Sequence, residues 1–254
     1  MTGKPDWDFV ERTVANQSRY LRPVRVGVPG MCHVCFGAVP HSDGEECSKC
    51  AETRAAADGG IADVVTAVTY RVRGNQHDHD LRVYKAAYAS EAAKTRLLCL
   101  FWHFSKYHAR CVQAQAGVGG FTHVAFVPST KTARKSHPLQ DLLAPVVPRL
   151  SLVRLGVNAG VSPDSREFAP HWFTADPLAA SGAGAPAVLL VDDTWVTGAR
   201  AQSAAYRLKQ AGAATVAVLV LARQINPDWT HSRPLLTAVE NTTFDAARCV
   251  HHSH

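Results

Sequence analysis

The chain has 254 residues, 46% of them hydrophobic and 19% charged, which is enough to build one α/β domain beside a small module. This composition excludes a chain that is disordered throughout, and the longest apolar run, at 211–222, is too short to cross a membrane. The formal net charge of +6 indicates an anionic partner, and it suits a polyphosphate and a nucleic acid equally well.

The first 50 residues divide into an arm and a cysteine block. Residues 1–30 are predicted to form an irregular or partly helical arm. They lack a continuous hydrophobic segment, so we expect no signal peptide and a cytoplasmic protein whose thiols stay reduced. Residues 31–50 contain two CxxC pairs, formed by Cys32, Cys35, Cys47 and Cys50.

Two CxxC pairs can close a tetrahedral zinc site, because each pair presents two thiolates from one tight turn. The alternatives are a disulfide pair and a dithiol redox motif. Reduced thiols argue against the disulfide, and a redox motif needs a single CxxC where a strand meets a helix. The block therefore predicts a zinc knuckle. Its metal is structural, since four protein ligands leave no position for a catalytic water.

Helices and strands are predicted to alternate after the knuckle. Residues 51–60 indicate a short helix that ends at two glycines, and residues 64–73 indicate a strand. The hydrophobic period then predicts one long helix from 81 to about 115. Tyr84 and Tyr88 are expected on its apolar face, and Cys99 and Cys111 are interpreted as buried thiols. Just before this helix, the sequence HDHD at 77–80 could bind a metal, but its position favours a solvated loop and cap.

The alternation continues through the middle of the chain, with strands at 121–127, 150–157 and 171–175 and a helix at 139–147. The first of these strands leads into a short polar and basic segment. It forms either an anion-binding loop or the start of a solvated basic helix. Its candidate residues are Ser129, Thr130 and Lys131. A polar loop at 158–170 contains Arg166, and a plain surface loop is the favoured interpretation there.

The segment 188–200, VLLVDDTWVTGAR, carries the strongest functional pattern. Its apolar run predicts a buried parallel strand ending at 191, so Asp192 and Asp193 would lie where open α/β sheets bind ligands. The loop through Thr197 and Gly198 would expose backbone N–H groups at a helix N-terminus. This arrangement fits a sugar phosphate, with its diol on the acids and its phosphate on the loop. The alternative is an ordinary strand that ends at an N-cap aspartate.

A helix at 199–211 and a strand at 215–223 complete a doubly wound, mainly parallel α/β sheet over 61–225. Residues 226–254 form a C-terminal tail. Four of its side chains resemble half of a metal site, although a frayed terminus is the favoured interpretation. They are Cys249, His251, His252 and His254.

The segment 188–200 resembles the phosphoribosyl-pyrophosphate (PRPP) signature of type I phosphoribosyltransferases. It departs from that signature at Trp195, usually small or aliphatic, and at Val196 and Arg200, which are usually hydroxyl residues. The resemblance implies that PRPP binds together with Mg²⁺ and that Asp192 and Asp193 are the catalytic pair. The implied substrate-binding loop consists of Thr194, Val196, Thr197, Gly198, Ala199 and Arg200.

The same resemblance assigns pyrophosphate to the loop after the strand at 121–127. There Ser129 and Thr130 would donate hydrogen bonds, and Lys131 would neutralise phosphate charge. Arg166 would reach the pyrophosphate from a loop that closes over PRPP. The hood that selects the acceptor would draw on the arm, the 61–75 region or the tail.

A zinc knuckle ahead of a PRPP-type strand is similar to the ComF family of phosphoribosyltransferase-like competence proteins. The similarity spans roughly 31–223 and indicates a divergent branch, since the family's arginine-glutamine-rich segment is not clearly present. It implies transfer of phosphoribosyl to or from a nitrogen nucleophile. The alternative is a non-catalytic nucleotide-binding partner in DNA uptake or handling, acting with DNA-uptake proteins or single-stranded DNA. Against it, no run of interleaved basic and aromatic residues is present.

Overall fold

The computed structural model describes residues 5–40, 46–86, 88–129, 138–162, 164–178 and 184–252. The strands are β1 (Arg22–Pro23), β2 (Val64–Val72), β3 (His123–Phe126), β4 (Ser151–Leu152), β5 (Leu155–Val157), β6 (Phe173–Ala175), β7 (Ala187–Trp195) and β8 (Thr215–Ile225). The helices are α1 (Trp7–Gln17), α2 (Ser48–Ala56), α3 (Gln76–Val83), α4 (Glu91–Gln115), α5 (Pro138–Leu143), α6 (Ala199–Gln210) and α7 (Arg233–Glu240). Short 3₁₀ turns lie at Ala144–Val146 and Thr230–Ser232.

The chain folds around a six-stranded sheet of order β1-β2-β8-β7-β3-β4. Strands β2, β8, β7, β3 and β4 run parallel, and β1 pairs antiparallel with β2 at the edge. A separate antiparallel pair is formed by β5 and β6. The predicted α/β class with a mainly parallel sheet is therefore confirmed.

The central strands are buried on both faces, which explains why their sequences are continuous apolar runs. One face packs under α1, α3, α4 and α5, around residues such as Leu97, Phe101 and Leu189. The other packs under α6, α7 and the cysteine block, around residues such as Leu190 and Leu208. None of the helices in the described part of the chain combines the length and the apolar character that crossing a bilayer requires.

The strand order creates a crevice between β3 and β7. From β3 the chain passes through α5 to β4 on one side, whereas from β7 it passes through α6 to β8 on the other side. Such a reversal of winding separates the loops that follow the two strands and opens the sheet at their carboxyl ends. The loops after β3 and β7 therefore flank the place where an α/β sheet most readily binds a ligand.

Two predicted elements are wrong. The single helix expected at 81–115 is two helices, α3 and α4. Ser90 is the N-cap of α4, and its side chain accepts the Ala93 N–H at 3.3 Å. Tyr88, expected on the apolar face, is 98% exposed in the connection. The strand expected at 150–157 is split, since β4 pairs with β3 while β5 leaves the sheet to pair with β6.

The interpretation of 77–80 as a solvated loop is also wrong. These residues belong to α3, and His77, Asp78 and Asp80 are buried. Arg71 Nε lies 2.7 Å from Asp78 Oδ1, and Arg96 forms two 2.7 Å bonds to the Asp80 carboxylate. The acids thus act as ion-pair partners that fix α3 between β2 and α4.

Both ends of the chain are more ordered than the sequence indicates. The predicted partly helical arm contains α1, which buries Val10 and Val14 beside α4. The expectation of a frayed tail is wrong as far as residue 252, because α7 is followed by the buried side chains Phe244 and Val250. His254 lies outside the described residues.

Candidate functional site

The acidic pair lies inside β7, near its carboxyl end. The strand continues to Trp195 rather than ending at 191, because β8 keeps pairing with it as far as Arg223. Asp193 is buried and held from the α3 side: the Tyr84 hydroxyl donates to its Oδ2 at 2.7 Å, and Lys85 forms an ion pair with the same oxygen. Asp192 is less buried and lines a cavity of about 550 Å³.

The two carboxylates influence each other. Removal from water, together with the negative charge of Asp193, raises the pKa of Asp192, while Lys85 and Arg200 act in the opposite direction. The Asp192 Oδ1 also accepts the Asp193 N–H at 2.8 Å. A carboxyl group whose pKa is raised in this way can exchange a proton closer to neutral pH than an ordinary aspartate can.

A tight turn joins β7 to α6 and forms one wall of the cavity. Gly198 has a φ of +84°, and a Cβ placed there would overlap the ring of the buried Trp195. Only glycine satisfies both conditions, so Trp195 and Gly198 form one packed unit under the turn. The first backbone N–H groups of α6 lie beside this turn, where they can bind an anion.

The Thr197 side chain links this turn to the polar loop at 158–170. Its hydroxyl donates to the Arg166 carbonyl oxygen at 3.1 Å and accepts the Ala199 N–H at 3.4 Å. Arg166 consequently lines the same cavity as Asp192. Residues 164–166 of the loop at 158–170 line the cavity, and Asp164 and Arg166 are also exposed at the surface.

Basic side chains surround the cavity on several sides. Arg166 and Arg200 flank the turn, Lys85 lies beside Asp193, and Arg71 comes from the end of β2. The Arg200 guanidinium lies 5.7 Å from the centre of the Trp172 ring, and burial lowers its pKa. Four cationic side chains and an acidic pair in one concave space can bind a ligand that carries both phosphates and hydroxyls.

The structure brings together ten of the twelve residues predicted for the ligand site. The residues that line the cavity are Asp192, Asp193, Thr194, Val196, Thr197, Gly198, Ala199, Arg200, Ser129 and Arg166. Thr130 and Lys131 lie outside the described residues. The Thr194 hydroxyl oxygen is buried and has no hydrogen-bond partner within the described chain.

Sequence reasoning missed Tyr84, Lys85, Arg71 and Gln224. Tyr84 and Lys85 are separated from Asp193 by more than 100 positions, and nothing in their local pattern points to a carboxylate. Tyr84 fits the apolar period of a helix, so its hydroxyl contact is visible only in three dimensions. Arg71 and Gln224 lie near the carboxyl ends of the parallel strands β2 and β8, and that location was the available signal.

The predicted knuckle has the geometry of a metal centre. The Cys32–Cys50 and Cys35–Cys47 Sγ distances are 3.9 and 3.8 Å, and all four sulfurs lie within 4.8 Å of one another. Zn–S bonds of about 2.3 Å in a tetrahedron place sulfurs about 3.8 Å apart. The four thiols are therefore placed to hold a metal ion such as zinc. The second CxxC starts α2 rather than lying in a loop.

Arg223, at the end of β8, joins the knuckle to the ligand turn. Its guanidinium donates to the carbonyl oxygens of Cys35 (2.9 Å), Trp195 (3.2 Å) and Val196 (3.0 Å). It fills the space where a Cβ at Gly37 would lie, so the knuckle closes tightly over it. Arg223 therefore links the cysteine cluster directly to the turn that lines the cavity, and no local sequence pattern indicates this link.

No family model and no curated protein matches this chain. Its function has to be inferred from the cavity at the carboxyl end of β7 and from the cysteine cluster beside it.

Proposed function

We propose that the protein binds PRPP, or a related ribose phosphate, together with Mg²⁺, and that it is a divergent ComF-like member of the type I phosphoribosyltransferases. One observation supports this most: Asp192, the Gly198 turn and the N-terminus of α6 face a single cavity at the switch point of the sheet. A ribose phosphate needs hydroxyl acceptors and a phosphate cradle within one cavity.

Each part of the cavity then has a role. The backbone N–H groups of the turn and of α6 bind the 5′-phosphate, and Asp192 accepts hydrogen bonds from the ribose hydroxyls. Ser129, Arg166 and Lys85 line the cavity and would bind the pyrophosphate. Asp192 would help to hold Mg²⁺ beside the pyrophosphate, and the ion would supply positive charge there that the basic side chains alone do not provide.

The proposed reaction breaks the bond between C1 of the ribose and the pyrophosphate oxygen and forms a bond from C1 to nitrogen. Both electrons of the breaking bond leave with the pyrophosphate, and positive charge develops on the ribose. The basic groups stabilise the departing anion, while Asp192 lies beside the ribose. The raised pKa of Asp192 suits it to take the proton that the nitrogen nucleophile releases.

A second candidate is a non-catalytic ribose-phosphate-binding protein that assists DNA uptake or handling. The specific observation in its favour is that Asp193 is buried and already bonded to Tyr84 and Lys85. Val196 also replaces a phosphate-binding hydroxyl of the signature. The protein could still bind a ribose phosphate with these changes, whereas transfer of phosphoribosyl would lack one carboxylate and one hydroxyl of the signature.

Pyrophosphate release separates the two candidates. The protein is incubated with Mg²⁺ and PRPP across a panel of purine, pyrimidine and pyridine bases, and single-stranded DNA binding is measured in parallel at low and high salt. We expect base-dependent release that Asp192→Asn abolishes. PRPP binding without release, together with salt-dependent DNA binding, would favour the second candidate. Failure to bind PRPP at all would refute both.

A further inference from the structure

A second group of metal-ligand side chains lies far from the knuckle in sequence. His108 and Cys111 belong to α4, and Cys249 and His252 belong to the C-terminal segment. One ligand atom from each of the four lies within 4.8 Å of the other three. The group packs beside the core under α1 and α4, whereas the knuckle packs beside the core on the opposite face of the sheet.

The spacing within each half presents two ligands to one point. His108 and Cys111 are three positions apart on a helix, so their side chains share a face. Cys249 and His252 lie at the two ends of a turn closed by a 3.1 Å bond from the His252 N–H to the Cys249 carbonyl. Val250, inside that turn, is buried and anchors it to the protein.

His108 is oriented as a metal ligand is. Its ring is 2% exposed, and its Nε2–H donates to the carbonyl oxygen of Ala246 at 2.8 Å. This bond leaves the lone pair of Nδ1 available, and Nδ1 is buried with no hydrogen-bond partner among the described residues. Metal-binding histidines characteristically donate their second ring N–H to a carbonyl or carboxylate in this manner.

The distances fit a tetrahedral ion. Cys111 Sγ lies 3.5 Å from His252 Nε2. With Zn–S of about 2.3 Å and Zn–N of about 2.0–2.1 Å, a tetrahedral angle places sulfur and nitrogen about 3.6 Å apart. Two thiols and two imidazoles that converge on one point favour zinc over calcium and magnesium, because calcium and magnesium need oxygen ligands.

We propose that His108, Cys111, Cys249 and His252 form a second metal site, for zinc, which fastens the C-terminal segment to α4. The site is structural, since all four positions are filled by protein. At present His252 Nδ1 accepts the Cys249 N–H at 2.9 Å, which leaves the ring proton on Nε2. Binding of the ion releases the thiol protons of Cys111 and Cys249 to solvent and moves the His252 ring proton from Nε2 to Nδ1, which breaks the bond from the Cys249 N–H to the ring.

The metal content of the wild-type protein is the primary test, because it does not depend on any variant folding. Protein prepared in reducing, chelator-free buffer is expected to contain two zinc ions per chain. X-ray absorption should report an average of three sulfur and one nitrogen ligand per zinc, since one site has four sulfurs and the other has two of each. One zinc per chain with four sulfur ligands would overturn the proposal.

Variants assign the ions to their sites. Cys249→Ser and Cys47→Ser should each lose one zinc, and the zinc left in Cys47→Ser should have two sulfur and two nitrogen ligands. Cys99→Ser, which removes a buried thiol from the same helix outside the group, is the matched control and should keep both ions. Retention of two ions by Cys249→Ser would refute the site.

A disulfide between Cys111 and Cys249 is the competing chemistry. Thiol titration of the denatured, chelated protein without reductant distinguishes it: seven thiols per chain are expected, and five would mean that the pair is oxidised and that the proposal is wrong. None of these outcomes depends on PRPP, so the second metal site and the proposed function stand or fall separately.

Discussion

At the residue scale, the two aspartates of the acidic pair in β7 have different surroundings and different roles. Asp193 is bonded to Tyr84 and Lys85 and so helps to hold the α3 end against the sheet. Asp192 faces the cavity, and its charged form destabilises the folded state, because burial and the charge of Asp193 raise its pKa. The two residues look equivalent in the sequence and both line the cavity, but Asp193 is already bonded to Tyr84 and Lys85.

Replacing Asp192 by Asn is expected to stabilise the protein. A carboxyl whose pKa is higher folded than unfolded destabilises the folded state above its unfolded pKa, increasingly as pH rises towards the folded pKa. Asn keeps an oxygen that can accept the Asp193 N–H and removes the charge. The gain should be absent near pH 4 and reach about 1 kcal/mol or more at pH 8, since one pKa unit is worth about 1.4 kcal/mol.

Urea unfolding of wild type and Asp192→Asn across this pH range measures the effect. Asp8→Asn, an exposed acid on α1, is the charge-matched control and should show no comparable pH-dependent gain. Equal stability of Asp192→Asn and wild type at pH 8 would show that the carboxylate is not strained by its surroundings.

The turn residues Val196 and Arg200 test which group holds the 5′-phosphate. A hydrogen bond to a charged acceptor contributes about 1.5–3 kcal/mol, so Val196→Thr is expected to tighten PRPP binding by about ten-fold. If Arg200 already supplies that interaction, Arg200→Ala should weaken binding strongly and Val196→Thr should change little. Calorimetry on both variants decides between them. No change in either affinity would mean that the turn does not hold the phosphate.

At the scale of elements, the local patterns that were confirmed are those written in consecutive residues. The buried runs of β7 and β8, the glycine turn and the start of α6 follow from sequence because burial and backbone geometry act on neighbours. The break between α3 and α4 does not, since Tyr84 continues the helical period while its hydroxyl bonds Asp193 across the fold.

Arg223 connects β8 to the knuckle and to the turn after β7, and its replacement should affect ligand binding. Its guanidinium bonds the carbonyls of Cys35, Trp195 and Val196, so it sets the position of the turn relative to the knuckle. Arg223→Gln is expected to keep the knuckle metal and to weaken PRPP binding ten-fold or more, because the turn loses its support. Metal analysis and calorimetry on the same preparation measure both quantities.

Arg73→Gln is the control for this change, since Arg73 is 62% exposed and pairs only at the surface with Asp228 among the described residues. It should leave both the metal and the affinity unchanged. An Arg223→Gln protein that binds PRPP as tightly as wild type would show that the turn keeps its shape without the bonds from Arg223.

At the scale of the whole molecule, the sheet forms a crevice, and two cysteine-containing groups pack on opposite faces of that sheet. The crevice and the knuckle were predictable, because the acid-and-glycine pattern and the CxxC pairs are local. The second group of Cys and His residues was predictable only in part: the tail resembles half a metal site, but Cys111 lies 138 positions before Cys249, and only the fold brings the two halves together.

Loss of the knuckle metal is expected to weaken ligand binding in the cavity. Cys47→Ser should contain one zinc fewer than wild type and lose hydrogen-exchange protection over residues 31–40 and 46–50, because the metal supplies much of the folding energy of a small module. Through Arg223 it should also weaken PRPP binding. Unchanged metal content in Cys47→Ser would contradict the assignment of the ligands.

Titration calorimetry of PRPP with Mg²⁺ into wild type, Asp192→Asn and the control Asp8→Asn tests the central claim most directly. We expect binding to wild type and to Asp8→Asn with the same affinity, and a loss of at least ten-fold in Asp192→Asn although that variant is folded and no less stable. Equal affinity of Asp192→Asn and wild type, or no binding to any of the three, would contradict a ribose-phosphate site at the end of β7.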